Sequence, residues 1–144
     1  MKQKSIYLMM FVGVTLLLVA CGGTGEATPP TASEGDVQYG EAPVESVEVM
    51  ILESFPLQVQ LNVEGYMPDG CTEIDSTEVE QQGNHFEVTI RTVRPADMLC
   101  TEAIEPFEMN IPLDVYGLPA GEYTIDVNGV EDSFTFEQDN ILEE

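Results

Sequence analysis

Between Val44 and Glu137 polar and apolar residues alternate with a period of two, in run after run. "PLQVQLNVEG" (56–65) shows it most cleanly. Leu57, Val59, Leu61 and Val63 fall on one side, and Gln58, Gln60, Asn62 and Glu64 on the other. Successive side chains of a strand point to opposite faces, so the pattern predicts one dry and one wet face. The same reading places strands at 44–52 (Val47, Val49, Ile51), 84–94 (Phe86, Val88, Ile90) and 107–115 (Phe107, Met109, Ile111, Leu113). Two more follow at 122–129 (Tyr123, Ile125, Val127) and 131–137 (Phe134, Phe136). A weaker run at 72–81 has only Ile74 and Val79 as large apolar residues. Its acidity marks an edge strand kept from stray pairing by charge. "PADMLCTEA" (95–103) has room for a short helical turn, and no long helical period occurs in the domain.

Turn chemistry agrees with the strands. "QQGN" (81–84) and "VNGV" (127–130) separate neighbouring runs, and Asn-Gly is the strongest short hairpin signal. Short strands with turns between them predict an all-β fold, an antiparallel β-sandwich of about seven strands over 44–138. "GLPAGEYTIDV" (117–127) resembles the approach to the penultimate strand of immunoglobulin-like and fibronectin-type-III-like domains. The resemblance implies an immunoglobulin-like sandwich in which Tyr123 is a tyrosine corner, its hydroxyl bonded to backbone just upstream. It implies nothing about function.

Ahead of the domain the pattern changes twice. "MKQKS" carries two lysines, and Ile6 to Ala20 then run without charge. That run is short for a spanning helix, which needs roughly 20 apolar residues; with its basic head it reads as a signal peptide over 1–20. Leu18-Val19-Ala20-Cys21 resembles the lipobox of bacterial lipoproteins. The resemblance implies cleavage before Cys21, a diacylglyceryl group on its thiol, an exported domain and a membrane as partner through the lipid. Two or three acyl chains anchor durably where one does not. Gly22 in place of Asp implies an outer-membrane fate if the cell has two membranes. Residues 21–43, rich in Gly, Pro, Thr, Ser and Glu, have too little to bury to offset ordering entropy. They read as a tether spanning roughly 25 Å on average. Residues 139–144 read as an acidic tail.

Charge narrows the partners. The 144 residues carry 27 acids against four Lys and Arg, a net charge of −23. Such a surface repels phosphate backbones and anionic headgroups, so nucleic acid is excluded as a partner. A basic protein partner or divalent cations fit it, and acidity also serves solubility.

Candidate chemistry is sparse. An exported chain with two cysteines outside the lipobox pairs them most simply, as Cys71 with Cys100. His85 is the single histidine, its strand parity faces solvent, and zinc needs more His or Cys than this. Asp126, Asn128, Glu131 and Asp132 hint at calcium without the loop pattern of an EF-hand. Arg91 and Arg94 are the cations left once the leader is removed, with Arg91 facing out between cross-strand carboxylates. Met67, Met98 and Leu99 lie in connections and form an apolar loop patch suited to a protein partner. Arg94-Pro95-Ala96-Asp97 is similar to one loop of chagasin-like protease inhibitors, but their other two loop motifs and a Trp are missing. No nucleophile–base pair is visible, so no enzyme is expected. The function expected is a lipid-anchored, non-catalytic binding or structural module of the envelope, with no cofactor beyond its lipid. A calcium-binding envelope domain is the alternative and an inhibitor-like sandwich the lesser one.

Overall fold

The computed structural model describes residues 35–142, so the leader, Cys21 and most of the tether lie outside the described residues. Eight strands follow one another: β1 (Val37–Glu41), β2 (Val44–Leu52), β3 (Gln58–Met67), β4 (Glu73–Gln82), β5 (His85–Pro95), β6 (Glu105–Leu113), β7 (Gly121–Val127) and β8 (Val130–Phe136). They form two sheets. One runs β1-β5-β7-β8 with β4 also paired to β5, and the other runs β2-β3-β6. All the described residues are strand or connection, and 95–103 contains a turn rather than a helix. The domain is thus an all-β sandwich, antiparallel throughout except where β5 runs parallel to β7.

The seven strands read from alternation all form, within one or two residues of their expected ends. The eighth, β1, lies inside the stretch read as tether. All five of its residues are exposed, Tyr39 by 67%. It owes its place to ladder pairing with β5, from Val37 opposite Pro95 to Glu41 opposite Arg91. A strand that buries nothing has no apolar period, so hydropathy cannot reveal it.

The inner faces carry the core: Val59, Leu61 and Val63 of β3, Phe86, Val88 and Ile90 of β5, and Tyr123, Ile125 and Val127 of β7. Tyr123 stacks on Phe134 with ring centroids 5.2 Å apart, and Phe136 meets Phe134 edge-on at 5.1 Å. The Tyr123 hydroxyl donates to the Pro119 carbonyl at 2.8 Å, which is the tyrosine-corner bond. Burial, and then the negative charge of Asp139, push the Tyr123 hydroxyl above its ordinary pKa. The neutral form is therefore the one the fold holds, and its contribution fades only as pH rises past the unfolded tyrosine value. Gly65 is required by close approach: a Cβ there would collide with the Pro43 carbonyl and the Phe107 ring.

β5 is the hub, because one of its edges serves two partners in succession. β7 pairs with His85–Val88 and β1 with Arg91–Pro95. Between them the Ile90 carbonyl accepts the Ala42 N–H but the Ile90 N–H has no backbone partner, and Asn128 fills the gap. Its Oδ1 accepts the Ile90 N–H at 2.9 Å, while Nδ2 donates to the carbonyls of Ile90 and Ala42, both at 2.9 Å. The backbone φ of 48° that presents this side chain is one that Asn tolerates. Replacing Asn128 by Gly keeps the turn and removes three hydrogen bonds. We expect a loss of about 2–3 kcal/mol, read as a lower denaturant midpoint at unchanged slope.

Candidate interaction surfaces

At one end of the sandwich two connections cross between the sheets, β3 to β4 and β5 to β6. Cys71 in the first is bonded to Cys100 in the second, with Cα atoms 5.6 Å apart. Asp69 braces this staple. Its Oδ1 accepts the Cys71 N–H and the Thr72 hydroxyl, both at 2.9 Å, and Oδ2 lies 3.3 Å from Arg94. The Cys71 N–H bond above all, with help from Thr72 and the Arg94 charge, outweighs desolvation and holds the Asp69 carboxyl below its ordinary value. Its contribution is therefore present above the usual carboxylate pKa and is lost as pH falls through the depressed one. Gly70 N–H donates to the Thr101 carbonyl at 3.1 Å, tying the same connections together.

The staple carries an exposed apolar loop. Met98 is 56% exposed, Ile104 69%, and Leu99 stands entirely free of the surface. Beside them an open groove of about 380 Å³ is lined by Val37, Cys71, Val93, Pro95 and Met98, with the Arg94 guanidinium in its wall. Met67 does not join this patch. It ends β3 on the inner face and is buried among the core residues, because the strand runs two residues further than alternation alone suggested. Asp69, Cys71 and Cys100 place one ligand atom each within 4.8 Å of one another. Both sulfurs are committed to the disulfide, so the group does not offer thiolates to a metal.

Three of the four residues considered for calcium serve backbone groups. Asn128 is fully occupied by Ile90 and Ala42, as described above. The Asp126 carboxylate accepts the Gly129 N–H at 2.7 Å, which fixes the hairpin turn. Asp132 points to the inner side and accepts the Val49 N–H at 3.1 Å, joining β8 to β2 across the corner between the sheets. With Asn128 and Asp132 drawn to backbone groups, the four do not converge on one point. Sequence reading missed this role for Asp132, since a carboxylate that serves a distant N–H leaves no local signal.

His85 sits on the outer face, where Nδ1 lies 2.9 Å from the Thr124 hydroxyl of the neighbouring strand. Arg91 faces out as expected and meets Glu78 at 3.3 Å, an exposed pair worth little. Arg94 instead faces the disulfide, with Nη2 3.8 Å from the Cys100 sulfur. Pairing across the four strands also aligns Glu80, Glu87, Asp126 and Glu131 in one row on this outer face. Like charges directly opposite each other repel, so the row costs stability. Only the strand order brings these four together.

A second buried amide closes the opposite end. Asn140, expected in an acidic tail, is fully buried. Oδ1 accepts the Leu57 N–H, and Nδ2 donates to the carbonyls of Leu57 and Val115, both at 2.9 Å. Its own N–H and C=O are taken by Leu118 and Gly117. The described part of the C-terminal stretch is therefore part of the sandwich.

Residues 61–137, from the middle of β3 to just past β8, match the model of the ORF11 beta-sandwich domain. The chain belongs to the ORF11 beta-sandwich family. This matched stretch holds the disulfide, the tyrosine corner and Asn128, whereas β1, β2 and Asn140 lie outside it. The chain is 37% identical over 90 residues to an uncharacterized 10.2 kDa protein in the HgiCIIM 5' region of Herpetosiphon aurantiacus. That alignment covers 62% of this chain and 95% of the relative. A second uncharacterized 10.2 kDa protein of the same organism, in the HgiBIM 5' region, is 39% identical over 80 residues, covering 56% of this chain and 96% of the relative. No solved structure matches the chain.

Proposed function

We propose that this chain is a lipid-anchored envelope protein whose ORF11 sandwich is a non-catalytic module for binding another protein. The observation that carries the reading is the stapled loop at 96–104. Leu99, Met98 and Ile104 are held out in solvent on a base that a disulfide and the Asp69 bonds make rigid. Exposed large apolar groups on a pre-ordered support suit recognition, because little entropy is lost when a partner covers them. A disulfide belongs to an oxidising compartment, which agrees with the export implied by the lipobox at Cys21. The Asp69 carboxyl, driven downward by structural hydrogen bonds, serves the support of this loop.

Photo-crosslinking from position 99 in intact cells tests both halves. With Cys21 intact we expect a discrete adduct with an envelope protein, recovered in the membrane fraction. Cys21→Ser should leave an uncut precursor and lose that fractionation. A Cys21→Ser chain still processed and lipid-bound would refute the anchor, and no adduct from position 99 would refute the binding loop.

A further inference from the structure

Five strands of this sandwich, β1, β2, β4, β6 and β8, have an outer edge, and these edges are protected in different ways, that of β4 over Ser76–Gln82 by charge. Residue parity shows which backbone groups face each edge. The Tyr66 N–H reaches Pro43 on the β2 side, so the odd residues of β3 pair with the odd residues of β6. The even residues of β6 therefore face outward, and Pro106 and Pro112 among them have no N–H to offer. The β8 edge meets β2 and is closed by the Asp132 bond to the Val49 N–H. β1 is five residues long and gives little length for pairing.

β4 differs. Val88 and Ile90 of β5 direct their carbonyls toward Asn128 and Ala42, so the odd residues of β5 face β4. Glu78 and Glu80, opposite Thr89 and Glu87, then pair inward along the ladder. Thr77, Val79 and Gln81 direct their N–H and C=O groups to the free edge. This edge contains no proline over its 10 residues.

The faces of β4 are equally unfinished. Thr77, Val79 and Gln81 lie opposite the buried Ile90, Val88 and Phe86, and Ile74 lies opposite Thr92, so their side chains belong to the inner face. That face should be dry, yet Val79 is 40% and Ile74 37% exposed. The second sheet has three strands against five in the first, and these two inner-face side chains of β4 stay open to solvent. On the outer face Glu78 and Glu80 continue the carboxylate row through Glu87.

We propose that the free edge of β4 takes up an extended segment of a partner protein, added as a further strand, with apolar residues inward and basic residues outward. The inward residues cover Ile74 and Val79, and the outward ones neutralise Glu80 and share Glu78 with Arg91. A row of unpaired N–H and C=O groups supplies the main-chain bonds, as in other strand additions. A second copy of this chain is the wrong occupant, since edge-to-edge pairing would set Glu78 and Glu80 against their own kind. The charges thus guard the edge against self-association while selecting a cationic strand. This inference rests on the binding-module reading and names a second surface for it.

The test uses the full chain and an eight-residue peptide of alternating Lys and Val, with binding read by fluorescence anisotropy. N-methylation at alternate peptide residues, on the face that meets β4, should weaken binding about tenfold or more by removing main-chain donors. Glu78→Gln with Glu80→Gln should weaken it several-fold and flatten its salt dependence. Val79→Pro removes an edge N–H that β5 does not use and should act like the N-methylated peptide. Should Val79→Pro fail to fold, the N-methylated peptide decides the matter on the unaltered protein. An N-methylated peptide that binds as tightly as the parent would reduce the interaction to polycation attraction and overturn the proposal. Absence of any peptide binding would overturn it too, while the crosslink from position 99 would still decide the binding loop independently.

Discussion

Asn140→Leu is expected to destabilise the domain by about 3–4 kcal/mol, more than loss of a typical surface residue. The substitution fits the volume but strands three backbone groups, the partly buried N–H and C=O of Leu57 and the buried C=O of Val115. The Val115 carbonyl loses its partner inside the core and the Leu57 groups lose theirs in a partly buried place, and a stranded group costs more than the bond itself contributes. For a domain of this size the melting temperature should fall by about 15 °C. Asn140→Asp separates hydrogen bonding from packing. A carboxylate can still accept the Leu57 N–H, but it has no proton for the two carbonyls. The introduced carboxyl should therefore have a folded pKa above its unfolded value, so stability is greatest below the unfolded pKa and declines as pH rises through the folded one. A Leu variant that melts with the wild type would show that the C-terminal stretch is not part of the cooperative unit.

Removing the staple should cost as much by a different route. Cys71 and Cys100 are separated by 29 residues, and closing a loop of that length restricts the unfolded chain by about 3–4 kcal/mol. The double replacement Cys71→Ser with Cys100→Ser should lower the melting temperature by about 15 °C, and a strong dithiol reductant should do the same to the wild type. Beside the bridge the two connections are tied by the Gly70–Thr101 bond, while Asp69 holds to Arg94 at the end of β5. Protease cleavage should accordingly appear first within 96–104, before the strands open. Equal melting with and without reductant, in protein whose thiols are then shown free, would mean that the loop is ordered without its bridge.

The two amide clamps differ in how much of their role the sequence reveals. "VNGV" announces Asn128 as a turn residue, and it is one, with φ positive at Asn128 and at Gly129. Nothing in those four letters says that its side chain patches the edge of β5, because Ala42 and Ile90 are remote in sequence. Asn140 has no signal at all. It stands beside Asp139 in a polar stretch that resembles a solvated tail, and it is buried only because Leu57, Val115 and Leu118 converge around it.

Alternation of apolar residues by itself determined seven strands, their dry faces and the sandwich class, since a period of two is imposed by the pleat within each strand. The Asn-Gly turn and the tyrosine corner were legible for the same local reason. Strand order, and all that follows from it, was decided by the tertiary structure. It made β5 the partner of three strands, aligned Glu80, Glu87, Asp126 and Glu131 in one row, buried Met67 and Asn140, and placed a fully exposed strand, β1, on the sheet. Period two says which way a side chain points, but only pairing across long loops says what it meets.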